Sequence, residues 1–352
     1  MTYSVYQHWD PLRVCIVGRS YSPEFYNYIE STKAREVMQR IAQETEEDYQ
    51  KLITLLESFG VEIVRPIVTD NHEDYIQDGK VLPPPMCPCD WSIMVGDKFY
   101  HNWKSDLLQK PYQHIFEKIK RNGNEIIQEP IRGIAPVLNR AQMTRVGKDL
   151  YMGTTSRGAG VPLFLSAVLA NDSTLSNRIM SLFPEYRCHL IPTGGHSDGV
   201  YCPVTPGLII SLKDIPTYKD TFPGWEVIYL PDQSWDLVEP FLQLKGKNSG
   251  KWWVPGEELN DDFTDYVETW LGHWVGYVEE TVFDVNMLVI DRHNVVCNNY
   301  NKEVFDAFER RGITPHVINF RHRYFWDGGL HCITSDIHRE GTMQDYFPER
   351  EK

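Results

Sequence analysis

The chain alternates short apolar runs with longer segments of helical periodicity. Residues 9–11 form a polar turn that leads into an apolar run, and Gly18 ends that run, as is typical of a short strand. From residue 32 to residue 58 apolar side chains recur at helical spacing until Gly60. A further strand is predicted over 61–64. The opening therefore predicts a strand, a helix and a strand.

This pattern of a polar turn followed by strands recurs. After three consecutive prolines, residues 89–100 predict a hairpin whose turn is Asp97-Lys98. The polar heads of successive units fall at residues 10, 90, 139, 198, 284 and 332. Helical patterns lie between the heads, at 103–121, 161–170, 257–271 and 301–311. The chain therefore contains an irregular internal repeat of five units if its first and last segments share one unit.

Units of a hairpin plus a helix at this spacing indicate ββαβ-like modules. Such a module cannot bury both of its faces alone, so it must pack against its neighbours. The hydrophobic pattern by itself leaves a second arrangement open, a doubly wound α/β sheet. Length alone permits one large domain or two, because 352 residues can bury a sizeable core.

The amino-acid composition argues against two kinds of binding partner, nucleic acid and membrane. The formal charge of −14 argues against nucleic acid, because binding to phosphates depends on clustered lysine and arginine. No apolar run approaches the roughly 18 residues that suggest a membrane span, and residues 1–10 lack the basic and apolar regions of a signal peptide. We therefore predict a cytoplasmic protein that binds neither nucleic acid nor membrane. The oligomeric state is left open, a homodimer included.

The seven cysteines are odd in number and scattered, which favours reduced thiols over a disulfide framework. Cys87-Pro-Cys89 does not have the spacing of a zinc or redox motif, and nothing in the sequence supplies further ligands for it. We interpret this pair as structural.

Cys332 has a different context. Gly328 and Gly329 precede it closely, and they allow a sharp turn or the close approach of a ligand. Ile333 and Thr334 resume strand-forming chemistry after it. The alternative is that Cys332 is one more small buried hydrophobic residue, which is the commoner role of a lone cysteine. We take it as a candidate nucleophile.

The residues around Cys332 resemble a known family. The segments Asn-Phe-Arg at 319–321 and Gly-Gly-Leu-His-Cys-Ile-Thr-Ser-Asp-Ile-His-Arg-Glu-Gly-Thr at 328–342 are similar to the nucleophile region of glycine amidinotransferase and related guanidino-group-modifying enzymes. The resemblance begins at the Trp-Asp-Pro-Leu opening and covers nearly the whole chain. It implies a single domain over 1–352, a five-bladed α/β propeller (the pentein fold) around a central active-site pocket.

The resemblance also implies roles for individual residues. The cysteine that matches Cys332 takes the amidino group from arginine. Asp90 matches the aspartate of the family's Pro-Arg-Asp, and Asp198 matches the aspartate two residues after the catalytic histidine, here His196. A guanidinium needs carboxylates to hold it, and residues two apart on a strand face the same way. Without the family, each aspartate would be interpreted as a turn or cap residue, and the histidine as a surface or core group.

His196 would protonate the departing amine and later deprotonate the incoming one, and it would help to keep Cys332 ionised. His331 is the neighbouring alternative, but adjacent strand residues face opposite ways, so we expect it to support the site from outside. The family aspartate that orients the histidine falls on Asn139. Arg145 and Gly329 are placed among the substrate-binding residues.

Asn139 is one of several positions at which the sequence differs from the family pattern. Ile215 stands where the family has a carboxylate-binding arginine, and the loop at 192–195 is shorter. Tyr-Phe-Trp at 324–326 replaces small and polar residues, and the tryptophan-rich segment 233–275 has no matched counterpart. These differences indicate an acceptor other than glycine.

The leading hypothesis is an arginine-dependent amidinotransferase that works by a ping-pong mechanism, releases ornithine and passes the amidino group to an acceptor amine. It requires no metal and no organic cofactor. Two alternatives stay open: an arginine deiminase or dihydrolase, in which water resolves the intermediate, and a propeller that only binds guanidino compounds, as Asn139 and Ile215 would favour.

Overall fold

The computed structural model describes residues 2–103, 105–128, 138–153, 181–193, 196–212, 215, 217–230, 254–271 and 284–350. The helix predicted over 161–170 and most of the tryptophan-rich segment lie outside these ranges.

The strands of the described ranges are short, with two to six residues each. They are β1 (Leu12–Val17), β2 (Glu62–Val64), β3 (Ile76–Gln77), β4 (Lys80–Val81), β5 (Ser92–Val95), β6 (Lys98–His101), β7 (Glu125–Gln128), β8 (Met143–Val146), β9 (Asp149–Gly153), β10 (Arg187–Ile191), β11 (Tyr201–Thr205), β12 (Leu208–Ser211), β13 (Glu226–Tyr229), β14 (Leu288–Asp291), β15 (Asn294–Cys297), β16 (Thr314–Val317) and β17 (Thr334–Arg339). The α-helices are α1 (Thr32–Ser58), α2 (Asp106–Gln109), α3 (Gln113–Arg121), α4 (Tyr218–Thr221), α5 (Asp261–Tyr266), α6 (Lys302–Arg310) and α7 (Arg323–Trp326).

Five three-stranded sheets repeat one arrangement within the described part of the chain. Each consists of an antiparallel pair and a third strand that joins in parallel, in the orders β17-β1-β2, β5-β6-β7, β8-β9-β10, β11-β12-β13 and β14-β15-β16. A parallel third strand needs a crossover connection, which helices such as α1, α3 and α6 supply. Because β17 pairs with β1, the two ends of the chain share one module. The predicted five-bladed α/β propeller is confirmed.

The long helix has the bounds that its sequence pattern predicts. The Ser31 side chain accepts a hydrogen bond from Ala34 N and caps the start. Gly60 follows the end with a φ of +74°, a conformation that glycine adopts without steric cost. The apolar face of α1 is buried in the largest core cluster.

Two other predicted helices are broken or shortened. The helix expected over 103–121 consists of α2, a 3-10 turn at Lys110–Tyr112 and α3, because Pro111 has no N–H to donate. The helix expected over 257–271 begins only at Asp261, where the Asn260 side chain caps Phe263 N, and it ends as a π-helical turn at Val267–Leu271.

A buried ion cluster joins the modules at their centre. Asp336 of β17 contacts three guanidinium groups, Arg140 Nε at 2.9 Å, Arg145 Nη2 at 2.7 Å and Arg339 Nε at 2.5 Å, and all four side chains are fully buried. Other N–H groups of these arginines donate to backbone carbonyls of other modules: Arg145 Nη1 to Met94 O and Arg339 Nη2 to Val289 O. The cluster therefore ties β5, β8, β14 and β17 together.

None of the helices in the described ranges combines the length and the apolar composition that a membrane span requires.

Candidate active site

Cys332 lies in a tight turn that precedes β17. Ile333 N donates to Gly329 O at 3.1 Å, and Thr334 N donates to His331 O at 3.2 Å. The strand begins only at Thr334, so the expectation of strand geometry at 331–333 is wrong. A Cβ on Gly328 would lie 2.9 Å from Cys87 Sγ, so glycine is needed there for a close approach.

The turn is anchored from two sides. Arg140 Nη1 donates to the carbonyl oxygens of His331 at 3.2 Å and Thr334 at 2.8 Å. Asn286 Oδ1 accepts from His331 N at 2.8 Å and from Cys332 N at 3.2 Å. The Asn286 Nδ2 group donates to Cys332 Sγ at 3.1 Å and to Asp198 O at 3.2 Å. Sequence reasoning missed Asn286, although an asparagine beside the apolar run of β14 is a detectable signal.

Asp198 lies beside the cysteine thiol. Cys332 Sγ donates to Asp198 Oδ2 at 3.3 Å, and the His331 Nδ1 atom lies 2.8 Å from the same oxygen. Because a carboxylate only accepts, Nδ1 of His331 carries the proton. His331 therefore faces the same carboxylate as Cys332, and the prediction that it points away is wrong because both residues belong to the turn.

Asp198 lies on a 3-10 turn, Ser197–Gly199, and His196 is the residue that directly precedes this turn. The strand alternation expected for this pair is therefore wrong. The turn packs against the segment before β8, since Asp198 N donates to Ala141 O at 3.1 Å and Ser197 Oγ donates to Gln142 O at 3.0 Å. His196 is half-buried and lies near enough for its charge to act on both Asp90 and Asp198.

The two aspartates differ in their electrostatics. Burial raises the pKa of Asp90 to about 7; His196 opposes this rise, while Asp198 and Asp327 add to it. Burial also acts to raise the pKa of Asp198, but the hydrogen bond from His331 and the charges of His331 and His196 outweigh it and hold that pKa below its usual value. In the described part of the chain, Asp90 Oδ1 and Asp198 Oδ1 are buried without a hydrogen-bond partner. These two oxygens can accept from a bound cation.

The thiol and the imidazole are both neutral in this environment. Burial, followed by the charges of Asp198 and Asp90, raises the pKa of Cys332 well above its usual value. Burial and the nearby Arg140 lower the pKa of His331 to about 4. Ionisation of this thiol near neutral pH therefore requires a positive charge beside it.

The three remaining predicted residues, Gly329, Asn139 and Arg145, lie at separate places in the structure. Gly329 lies in the nucleophile turn. Asn139 lies in the segment before β8, where its Oδ1 accepts from Gln142 N at 2.9 Å. The guanidinium of Arg145 is fully buried and contacts Asp336 and Met94 O. The structure therefore gives Arg145 a place in the central ion cluster, and its predicted contact with substrate stays a prediction.

A cavity of about 200 Å³ has Asp90 in its wall, whereas Cys332, Asp198 and His331 are not among its lining residues. Asp90, Asp327 and Cys87 form its polar wall within the described ranges, and aromatic rings that include Trp91 and Trp326 form much of the rest. Trp326 is held by a hydrogen bond from its Nε1 to Thr45 Oγ1. The aromatic segment that distinguishes the sequence from the family thus contributes directly to this cavity.

Ile215 occupies an apolar environment. It is 2% exposed and belongs to the core cluster around β11, β12 and β15. A residue placed in this way cannot pair with a substrate carboxylate.

Comparisons with known proteins show which sequences and folds this chain is similar to. No family model matches the chain. Over 390 aligned residues it is 23% identical to the mitochondrial glycine amidinotransferase of Xenopus tropicalis, covering 97% of this chain and 84% of that protein. The solved structure of inosamine-phosphate amidinotransferase from Streptomyces griseus has a TM-score of 0.65 at 19% identity, covering 98% of this chain and 99% of that one.

A more distant similarity extends to hydrolases. A dimethylarginine dimethylaminohydrolase, solved as an adduct with S-methyl-L-thiocitrulline, has a TM-score of 0.53 at 9% identity, covering 92% of this chain and 99% of that one. The fold is thus shared by enzymes that transfer an amidino group and by enzymes that hydrolyse a guanidino compound. The chain has the fold of the amidinotransferases and is similar to them in sequence over nearly its whole length.

Proposed function

We propose that the protein is an arginine-dependent amidinotransferase that moves the amidino group of arginine to an acceptor amine through a covalent thiouronium on Cys332. One observation carries the proposal. Asp198 Oδ2 accepts from the Cys332 thiol at 3.3 Å, while Asp198 Oδ1 is buried without a partner in the described part of the chain. A guanidinium that binds this open oxygen lies beside the sulfur that attacks it.

Substrate binding also activates the nucleophile. The negative charges of Asp198 and Asp90 contribute to the high pKa of Cys332. A guanidinium that pairs with both carboxylates neutralises this contribution, so the thiol loses its proton more easily in the complex. The proton passes to His196, which delivers it to the departing nitrogen of ornithine.

The second half-reaction reverses these steps with a different amine. The acceptor nitrogen attacks the thiouronium carbon, His196 takes up the proton that this nitrogen loses, and the C–S bond breaks to restore Cys332. Asn286 Nδ2, at 3.1 Å from the sulfur, stabilises the thiolate at both stages. An acceptor other than glycine is supported by the buried position of Ile215 and by the aromatic wall of the cavity.

Hydrolysis is the alternative that the fold similarity to dimethylarginine dimethylaminohydrolase favours. In that reaction ammonia leaves the guanidinium and water resolves the intermediate. Citrulline and ammonia would then be the products, whereas ornithine and a new guanidino compound mark transfer. The two reactions are separated by their products alone.

The test uses labelled arginine, a panel of amines and mass spectrometry. We expect one equivalent of ornithine per protein without acceptor, an amidino adduct on Cys332 after acid quenching, and a labelled guanidino product with an acceptor. Cys332→Ser should abolish all three, because a hydroxyl is a much weaker nucleophile than a thiolate. Cys297→Ser, a matched change at a buried cysteine of β15, should leave them intact.

Two results contradict the proposal. Turnover by the Cys332→Ser variant would show that Cys332 is not the nucleophile. Calorimetric binding of arginine by the wild-type protein without ornithine or citrulline formation would assign the pocket to a binding function.

A further inference from the structure

Three modules bring a thiol, a carboxylate and an imidazole together next to Cys332. Cys89 Sγ lies 3.5 Å from Asp198 Oδ2 and 3.5 Å from His331 Nδ1, and the two latter atoms lie 2.8 Å apart. All three side chains are buried, and their potential ligand atoms lie within 4.8 Å of one another. The amidino-transfer mechanism gives Cys89 no role.

These distances match one face of a tetrahedral metal site. With zinc bonds of about 2.3 Å to sulfur and about 2.0 to 2.2 Å to nitrogen and oxygen, ligand atoms are separated by about 3.3 to 3.8 Å. Both distances from Cys89 Sγ fall in that range. The separation of Asp198 and His331 is shorter because a proton lies between them, and a metal ion would replace that proton.

We infer that Cys89, Asp198 and His331 form a binding site for a soft divalent cation such as Zn²⁺. Thiolate and imidazole ligands favour zinc over magnesium and calcium, which prefer oxygen ligands. Cys332 Sγ lies 3.3 Å from Asp198 Oδ2 but does not belong to this cluster of three ligand atoms. Binding displaces the thiol proton of Cys89 and leaves His331 protonated at Nε2, with Nδ1 on the metal.

The surrounding residues already hold this cluster in place. Asn286 accepts from His331 N and donates to Asp198 O, and Arg140 donates to His331 O. Such outer partners fix the orientation of metal ligands. The sequence indicated no ligand partners for Cys89, because the atoms near its sulfur come from distant modules and leave no spacing motif.

Metal binding at this site excludes the substrate. The metal occupies the Asp198 carboxylate, and its positive charge lies where the proposed function places a guanidinium. Zinc is therefore an inhibitor that competes with arginine. The existence of the metal site rests on geometry alone, whereas the competition rests on the proposed function.

The test measures Co²⁺ and Zn²⁺ binding to the full-length protein by absorption spectroscopy and calorimetry, without reference to activity. We expect a thiolate-to-cobalt charge-transfer band that Zn²⁺ abolishes. Cys89→Ser, which keeps a small polar group beside Asp198, should lose the band and weaken Zn²⁺ binding by more than the roughly 10- to 100-fold cost of losing an outer partner. Cys297→Ser is the matched control and should bind as the wild type does, and circular dichroism confirms that each variant folds.

The outcomes separate the two parts of the inference. Equal Zn²⁺ affinity in wild type and Cys89→Ser, or a cobalt spectrum without a thiolate band, overturns the site. Binding that depends on Cys89 but is unaffected by saturating arginine supports the site and overturns the competition, and with it the placement of the guanidinium at Asp198. Binding that depends on Cys89 and weakens with arginine supports both parts.

Discussion

The carboxylates of Asp336 and Asp90 have opposite electrostatic environments. Asp336 is surrounded by Arg140, Arg145 and Arg339, and these charges outweigh its burial and hold its pKa well below the usual value. Asp90 contacts no arginine or lysine in the described ranges, and burial raises its pKa to about 7.

The difference separates a carboxylate whose charge the protein compensates from carboxylates that keep an open acceptor within the described ranges. The protein itself compensates the charge of Asp336, so removing this carboxylate would leave buried guanidinium groups without a counter-charge. The oxygens of Asp90 and Asp198 that have no partner in the described part of the chain are costly to bury, and a cationic substrate recovers that cost on binding. A site that is prepared for a cation is thus less stable without it.

Replacing Asp336 should have the largest effect. Asp336→Asn leaves three buried guanidinium groups without a counter-charge, and breaking a buried ion pair in this way costs about 3 to 5 kcal/mol. Urea unfolding followed by circular dichroism measures the loss. Asp90→Asn is the matched control, and we expect it to be as stable as the wild type or more so. A similar loss in both variants would remove the distinction between the two carboxylates.

The second prediction concerns arginine affinity. Asp90→Asn and Asp198→Asn each remove a charged acceptor from a bound guanidinium, so each should weaken binding by about 1.5 to 3 kcal/mol. Titration calorimetry gives the dissociation constants. Asp306→Asn, at an exposed residue of α6, controls for the change in net charge. Unchanged affinity in either active-site variant would make that aspartate structural.

The third prediction is a contrast in pH dependence, measured as the free energy of unfolding in metal-free buffer. The folded-state pKa of Asp336 is lowered, so its contribution is complete above its unfolded value of about 3.9 and is lost as the pH falls further. The folded-state pKa of Asp90 is raised to about 7, so ionising it destabilises the fold as the pH rises from about 4 towards 7 and beyond.

The variants isolate these two contributions. The stability difference between wild type and Asp336→Asn should be constant from pH 5 to 7 and should shrink below about pH 4. The gain from Asp90→Asn should be greater at pH 8 than at pH 5. That gain should be small, because Asp90 is only partly buried and solvent screens part of the penalty. A gain that does not change with pH would refute the raised pKa.

The smallest effect is expected at Asn139. Asn139→Asp keeps the oxygen that accepts from Gln142 N and adds a negative charge beside the turn that carries His196. Since a carboxylate stabilises an imidazolium better than an amide does, kcat/KM should rise moderately. Asn139→Ala should lower it by removing the hydrogen bond. If the aspartate variant is no faster, the side chain at 139 serves only to form the turn.

Local patterns in the sequence determined much of the fold. The bounds of α1 follow from its apolar periodicity, the Ser31 cap and Gly60. The hairpin β5–β6 follows from its alternating residues and its turn. Two helices were predicted too long. The apolar periodicity continues through Pro111 and Asn260, but the helical backbone hydrogen bonds are interrupted at Pro111 and begin only after Asn260.

For the candidate active site, the sequence alone predicted Cys332 from its two glycines, and the resemblance to a known family predicted Asp90, Asp198 and His196. Only the tertiary structure decided which way His331 faces, that Asn286 supports the nucleophile, that Arg145 belongs to the ion cluster, and that Cys89 lies beside Asp198. The physical reason is that these contacts join residues about 50 to 240 positions apart. Side-chain periodicity reports the environment of neighbouring residues, and it carries no information about which blade head meets which at the centre of the propeller.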